Sequence, residues 1–322
     1  MNNKKLKKTD NPESGVVYII ILNWNGLEDS LECLESIKNL NYPLVKAVVV
    51  DNASKNNQAE TLEQKFPDAA VLRQSENLGF CGGCNVGIRY ALENGANYVM
   101  LLNNDTLVPP DLIEKLLAGF DHLENVGAVS PIILEHPATE KIWFSKARWE
   151  GSEAQFRLSK PNEKYEDFIT KPPYLSDFAC GCCLFAPAKM FETVGLFDER
   201  YFAFYDEAEW CSRLKEKGFE TYVIPSAFMY HKVSRSTPSL VSTYLLSRNR
   251  LLWMTENLSF GEKMKSLPYL LKDVVWHFGN LLGITKKYYT KQHSRAVLQG
   301  WKDYLLGRYY KWGKAAEKII FQ

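Results

Sequence analysis

Asp105, Glu207 and His231 are the residues of this 322-residue chain whose types and settings could do chemistry. Asp105 closes the triplet Asn103-Asn104-Asp105 at the end of an apolar run over 98–102. A carboxylate fixed there can bind a divalent cation that offsets the charge of a diphosphate, and the two amides can hydrogen-bond sugar or phosphate oxygens. The same triplet, ahead of Pro109, is also ordinary helix-capping chemistry. Glu207 falls in a helical stretch over 205–218 that opens with acids, closes with bases and stops at Gly218. Helical spacing puts it on one face with Cys211, Leu214 and Gly218, and puts Glu209 on an outward face with Arg213 and Glu216. Partial burial of Glu207 would raise its pKa toward that of a general base for an attacking hydroxyl. His231 follows an apolar strand at 221–224; it is either a hydrogen-bonded structural residue or a metal ligand complementing Asp105. Arg235 and the Ser247-Arg248-Asn249-Arg250 group suit diphosphate oxygens, or are plain surface charge.

These residues need elements to hold them. Residues 16–22 and 45–50 are continuous apolar runs without alternation, which suits strands buried on both faces, and 70–72 and 98–102 are further strands. Between them Leu27, Leu31 and Leu34 recur at helical spacing, 86–92 reads as helix, and Pro109-Pro110-Asp111 opens a helix bearing Leu112, Ile113, Leu116, Leu117 and Phe120. The alternation implies an α/β fold, with right-handed crossovers and a mostly parallel central sheet. Four strand ends then carry Asn23-Trp24-Asn25, Asp51-Asn52-Ala53-Ser54, Arg73 and Asn103-Asn104-Asp105. Each is acceptable turn chemistry by itself, but ligands of open parallel sheets bind outside the carboxyl ends of the strands, so the four together describe one crevice. The stretch from Gly79 through Gly82, Gly83 and Gly87 places backbone for close approach, directly before a helix whose N-terminus favours anions. Its spacing differs from Gly-x-Gly-x-x-Gly and it follows the third strand, which argues against a nicotinamide enzyme. Residues 136–175 read as loops or short strands over the crevice.

Composition narrows the field. With 39 Lys/Arg against 38 Asp/Glu, bulk charge argues against a nucleic-acid partner. Charge is uneven, however: residues 261–322 hold twelve Lys/Arg and four Asp/Glu, a local balance of +8. Lys286, Lys287, Tyr288, Tyr289, Trp301, Tyr304, Arg308, Tyr309, Tyr310, Lys311 and Trp312 mix rings with cations there, which suits peripheral membrane contact or helices packed on the main domain. The basic, polar residues 1–15 lack signal-peptide character, and the apolar stretch 269–284 is broken by Lys272, Asp273 and His277, short of a spanning helix. Seven cysteines without an export signal fit a reducing cytoplasm. Cys81-x-x-Cys84 and Cys180-x-Cys182-Cys183 have zinc-like spacing, but their Gly-rich and apolar settings read as packed thiols.

The segments 17–54, 73–106, 181–214 and 230–253, in this order, make the chain resemble the family 2 inverting glycosyltransferases of the GT-A fold, within their rhamnosyltransferase-like branch. The resemblance implies a disordered basic tail at 1–15, a GT-A nucleotide-binding domain at 16–238 and a helical basic-aromatic extension at 239–322. It implies that Asn23, Asn25 and Asp51 hold the nucleoside, with Arg73, Asn77 and Gly79 nearby, and that Asn103-Asn104-Asp105 stands at the Asp-x-Asp metal motif. Asp105 would then bind Mg²⁺ or Mn²⁺ with His231 as a second contact. Asp206-Glu207-Ala208-Glu209 matches the acidic catalytic stretch and puts the base at Glu207, with Asp206 beside it. Arg235, Arg248 and Asn249 would meet diphosphate or acceptor. The implied reaction moves a sugar from a UDP- or dTDP-type nucleotide-sugar donor to a glycan or lipid-linked acceptor in cell-surface polysaccharide synthesis, in the cytoplasm or on the inner face of the plasma membrane. The chain departs from the pattern in having one carboxylate in the metal motif and Glu at the base position. It also lacks Gln-x-x-Arg-Trp, which implies addition of one or a few sugars. A nucleotidyltransferase would want a Gly-rich basic loop after the first strand, where Asn23-Trp24-Asn25-Gly26 stands. A catalytically silent scaffold of a polysaccharide assembly complex would share the fold and bind donor without consuming it.

Overall fold

The computed structural model describes residues 15–121, 123–137, 140–159, 163–232, 239–285 and 290–321. The basic tail expected at 1–15 lies, but for Gly15, outside the described residues. The apolar runs form β1 (Val17–Asn23), β2 (Val45–Asp51), β3 (Ala70–Arg73) and β4 (Tyr98–Asn103), separated by α1 (Leu27–Lys38), α2 (Gln58–Lys65) and α3 (Gly79–Glu93). β1 pairs in parallel with both β2 and β4, and β2 with β3. Being central, β1 and β4 bury both faces, which is why their sequences run apolar without a break.

α3 starts earlier than its sequence suggests. The glycines expected to precede a helix lie inside it, and their reason is packing. A Cβ on Gly83 would stand 2.3 Å from Leu22 Cδ1, and one on Gly87 2.4 Å from Ile20 Cγ2, so bare backbone lets α3 settle directly on β1. Gly79 opens the helix at φ +75°, pressed against the Phe202 carbonyl.

After β4 the chain makes a short strand, β5 (Thr106–Leu107), and α4 (Leu112–Asp121), then β6 (Val126–Glu135). The polar region beyond contains the small strands β7 (Ile142–Phe144), β8 (Arg148–Glu150), β9 (Gln155–Arg157) and β10 (Tyr174–Leu175). β11 (Cys183–Pro187) inserts antiparallel between β4 and β6, and is followed by α5 (Ala188–Val194) and α6 (Asp206–Glu216). β12 (Glu220–His231) runs parallel to β6 and passes Pro225 through a register shift between Ile224 and Phe228. The resulting order is β10-β12-β6-β11-β4-β1-β2-β3, with β5 on β12 and β7 on β6.

Among the described residues four helices follow the sheet: α7 (Ser239–Asn257), α8 (Phe260–Leu281), α9 (Lys291–Leu305) and α10 (Lys314–Ile320). α7 serves two cores. Leu252, Trp253 and Met254 join the main one, whereas Val241, Tyr244 and Leu245 pack with Ala296, Ala316, Ile320 and Phe202 in a second. Gly300 lets α9 cross α7 closely, since a Cβ there would lie 2.7 Å from the Tyr244 carbonyl. Among the described residues no helix is long and apolar enough to cross a membrane.

Candidate active site

A cavity of ≈ 720 Å³ opens outside the carboxyl ends of β1 and β4 and is closed on its far side by the start of α6 and by α7 and α8. Trp24, Asn52, Asn77 and Asn103 line one end; Glu207 and Tyr269 line the other.

Around the carboxyl ends of β1, β2 and β4 the polar residues hold one another. Asn23, fully buried, donates through Nδ2 to Asp51 Oδ1 at 2.8 Å and accepts from Ser30 Oγ. Asp51 Oδ2 in turn accepts from the Ser54 N–H. Asn25, at φ +56°, uses Oδ1 to receive the Lys55 N–H. Asn104 is likewise engaged, donating to Ser30 Oγ and to the Gly26 carbonyl, which ties the end of β4 to the start of α1. Asn103 faces the cavity and donates to Cys182 Sγ. Asn52 is the hub that sequence reasoning leaves in the background. Buried between β2 and α3, it donates to Asn77 Oδ1 and the Gly79 carbonyl and accepts the Leu78 N–H. Arg73 ends β3 as the register neighbour of Asp51, with its exposed guanidinium paired to Glu63 at 2.5 Å.

Asp105 meets His231 because β5, one residue beyond Asp105, pairs antiparallel with the last residues of β12, setting His231 opposite Thr106. Asp105 Oδ1 and His231 Nε2 are 3.2 Å apart and both side chains are buried. Trp143 packs edge-on to the imidazole at 4.8 Å, and Cys182 Sγ lies 3.9 Å from Nε2. Carboxylate oxygen and imidazole nitrogen are both suitable donors to Mn²⁺ or Mg²⁺. Among the described residues no third His, Cys, Asp or Glu completes a cluster, so an ion held by these two would need its further ligands from outside the chain.

The acidic stretch begins α6. Three residues just before it, Phe202, Phe204 and Tyr205, adopt left-handed φ of 65°, 68° and 67°, a costly run for non-glycine residues that needs outside support. Asn249 of α7 supplies it by donating from Nδ2 to the carbonyls of Tyr201, Ala203 and Phe204. Arg248 adds Nη2 bonds to the Arg200 and Tyr201 carbonyls and an Nη1 bond to that of Tyr310. Both side chains are fully buried and satisfied in this way, which corrects the expectation that they meet diphosphate or acceptor. Arg235 lies outside the described residues.

The loop so held delivers Asp206 and Glu207 to the cavity. Asp206 is buried with Oδ2 lacking a hydrogen-bond partner, and burial together with the adjacent Glu207 charge pushes its pKa well above the carboxylate range. Burial also raises Glu207, though less freely, because backbone N–H groups, including that of Gly181, favour its ionised form. Both carboxyls are thus raised, Asp206 the more strongly, an arrangement suited to a base at Glu207. Glu209, expected on an outward face, is instead buried. It receives a bidentate bond from Arg213, whose guanidinium also binds the carbonyls of Val194 and Leu196, so the loop after α5 wraps the face left polar by helical spacing.

A further polar group borders the cavity from the C-terminal helices. Arg250 Nη2 donates to Asp273 Oδ2 at 2.8 Å, Asp273 Oδ1 lies 3.4 Å from His277 Nε2, and His277 Nδ1 is 2.9 Å from Ser294 Oγ. Its one sequence signal is the interruption of an apolar run by Asp273 and His277, four apart and hence on one helical face.

Comparison with known proteins agrees with this geometry. Residues 18–195 match the profile of glycosyl transferase family 2. The chain is 24% identical over 296 residues to the dTDP-rhamnosyl transferase RfbF of Shigella flexneri, spanning 88% of this chain and 95% of that protein. It is 23% identical to the N-acetylglucosaminyl-diphospho-decaprenol L-rhamnosyltransferase of Mycobacterium tuberculosis, over 64% of this chain and 72% of the other. Among solved structures it resembles GalNAc-T7 with UDP, GalNAc and Mn²⁺, at a TM-score of 0.58 and 16% identity over 91% of this chain and 56% of that longer one. It also resembles the mannosyltransferase PcManGT of Pyrobaculum calidifontis with GDP-Man and Mn²⁺, at a TM-score of 0.56 and 15% identity over 95% and 92%. These two show the GT-A fold.

Proposed function

The chain belongs to glycosyl transferase family 2, and from that premise we propose an inverting, metal-assisted hexosyltransferase, rhamnosyl transfer foremost, that uses a UDP- or dTDP-sugar. The acceptor is a hydroxyl of a glycan or lipid-linked saccharide in cell-surface polysaccharide synthesis, reached from the cytoplasmic face of the membrane. Support for the rhamnosyl reading comes from the names of the two relatives.

The observation that carries the mechanism is Glu207, facing the cavity at the start of α6 beside the buried carboxyl of Asp206. Glu207 takes the proton of the acceptor hydroxyl. The freed oxygen attacks the anomeric carbon from the side opposite the diphosphate, the bond to the diphosphate oxygen breaks, and configuration inverts. Asn52, Asn77 and Asn103 orient the donor, so most of the acceleration comes from positioning, with the base contributing on the order of 10²–10⁴-fold. Asp105 and His231 would hold a Mg²⁺ or Mn²⁺ ion, which when bound neutralises charge on the leaving diphosphate.

Titration calorimetry with UDP, dTDP and GDP, with and without Mn²⁺, followed by turnover of the sugars of whichever nucleotide binds, tests this reading. Metal-dependent binding of UDP or dTDP and transfer with inversion are expected. Binding without turnover on any sugar would favour a silent scaffold, and no binding by the folded protein would remove the transferase reading.

A further inference from the structure

α8 is built inside out. Its buried positions are polar, Ser266, His277 and Asn280, and Asp273 on the same face pairs with Arg250. Its outward face carries Phe260, Met264, Leu271, Val275, Phe278 and, just past its end, Leu282. Their separations of four, seven, four, three and four residues place all six on one stripe along a helix of 22 residues, about 33 Å long. Phe260 is 80% exposed, Val275 70% and Leu282 75%, in a protein whose other large apolar side chains mostly fill its cores. An ordinary surface helix has these faces the other way round, so the stripe is a contact surface.

We infer that the outer face of α8 lies in the plane of an anionic lipid bilayer. Charge selects this occupant. Lys265 and Lys272 are exposed on one flank of the stripe, and residues 261–322 carry +8 overall. Rings and aliphatic chains entering the acyl boundary with lysines reaching for headgroups is the pattern of an interfacial helix. A second copy fits less well, because an isologous pairing of two such ridges sets their lysine rows against each other. The stripe also differs from the basic-aromatic set expected from sequence to make this contact: Trp312 packs on Phe202 at 5.2 Å and the Trp301 indole nitrogen is buried, while 286–289 lie outside the described residues.

The inward face of the same helix gives the contact a purpose. Tyr269, Asp273 and His277 line the cavity that Glu207 also lines, so a bilayer on the outer face lies about one helix diameter, some 10 Å, from that wall of the cavity. A saccharide hydroxyl on a lipid anchor can then enter the cavity while its anchor stays in the membrane. This purpose rests on the proposed lipid-linked acceptor; the contact itself does not.

The test is co-sedimentation of the full chain with vesicles of phosphatidylcholine alone and of phosphatidylcholine mixed with about one third phosphatidylglycerol, read as the fraction of protein bound. Wild type is expected to bind the anionic vesicles; L271Q/V275Q/F278Q should lose roughly tenfold or more, and K265E/K272E should weaken binding to anionic vesicles by roughly fivefold or more per lysine. These side chains are exposed, and unchanged melting and unchanged nucleotide affinity would show that fold and donor site survive. Equal binding by wild type and the triple glutamine variant, or none by wild type, overturns the inference. A concentration-dependent dimer abolished by the same variant, without vesicle binding, assigns the face to a second copy instead. Failure of donor binding in the wild type would count against the transferase reading and leave the vesicle result standing on its own.

Discussion

Asp105 Oδ1 lies 3.2 Å from His231 Nε2, and the short β5–β12 pairing is what brings the two together. If the pair holds the ion, Asp105→Ala should abolish the Mn²⁺ dependence of nucleotide binding, and His231→Ala should weaken it by about ten- to a hundredfold. Calorimetry at several Mn²⁺ concentrations measures both. Undiminished metal dependence in Asp105→Ala would place the ion elsewhere.

Glu207→Gln should lower kcat by about 10²–10⁴-fold and leave donor affinity within about twofold. Because burial raises the Glu207 pKa and the base acts ionised, the wild-type rate should climb with pH through a midpoint above the ordinary glutamate value of about 4.3. That limb should be missing from the residual activity of the variant. A pH–kcat profile from about 4.5 to about 8.5 reads both effects.

Asp206 gives a stability prediction. Its folded pKa is raised, so above the ordinary aspartate value of about 3.9 the unfolded chain releases a proton that the folded chain retains, and stability falls as pH rises through that window. Asp206→Asn removes this term. Its melting temperature should exceed that of wild type by roughly 2–4 °C at neutral pH, with the gap narrowing toward about pH 4. A gap independent of pH would show that Asp206 is ionised in the folded protein.

Asn249→Asp keeps the shape of the side chain but loses the N–H donors that hold three carbonyls. It should cost roughly 2–4 kcal/mol of stability in urea titration. Among molecules that remain folded, kcat should drop further than donor affinity, since the loop it supports leads directly into the helix that carries Glu207. Equal losses in both would reduce Asn249 to a purely structural role.

Gly87→Val tests the contact between α3 and β1. With Ile20 Cγ2 2.4 Å from the added Cβ, overpacking should destabilise by about 1–3 kcal/mol, read as a lower urea midpoint at constant slope.

The parallel half of the sheet is legible because β1 and β4, and β2 over Val48 to Val50, are buried on both faces and so run apolar there. β6 and β11 are not: Pro131 stands in the middle of one, and the other is a five-residue run ending in Pro187. The glycines of α3 read as loop because their requirement comes from Leu22 and Ile20, side chains on another element. Helical spacing selects Glu207 correctly as a cavity residue but places Glu209 in solvent, since it cannot foresee Arg213 folding back under a neighbouring loop. Arg248 and Asn249 look like ligand contacts because cationic and amide groups suit diphosphate as well as they suit carbonyls; only the left-handed loop before α6 distinguishes the two uses.

That loop also fixes an order of events. A chain emerging from the ribosome would complete β1 to β12, and with them the Asp105–His231 pair, before α7 is exposed. Glu207 would be placed last, when Arg248 and Asn249 arrive to clamp residues 200–204. A polypeptide ending near residue 238 would therefore have the Asp105–His231 pair without the bonds that seat the loop before Glu207, and on the function proposed above it would be unable to complete transfer.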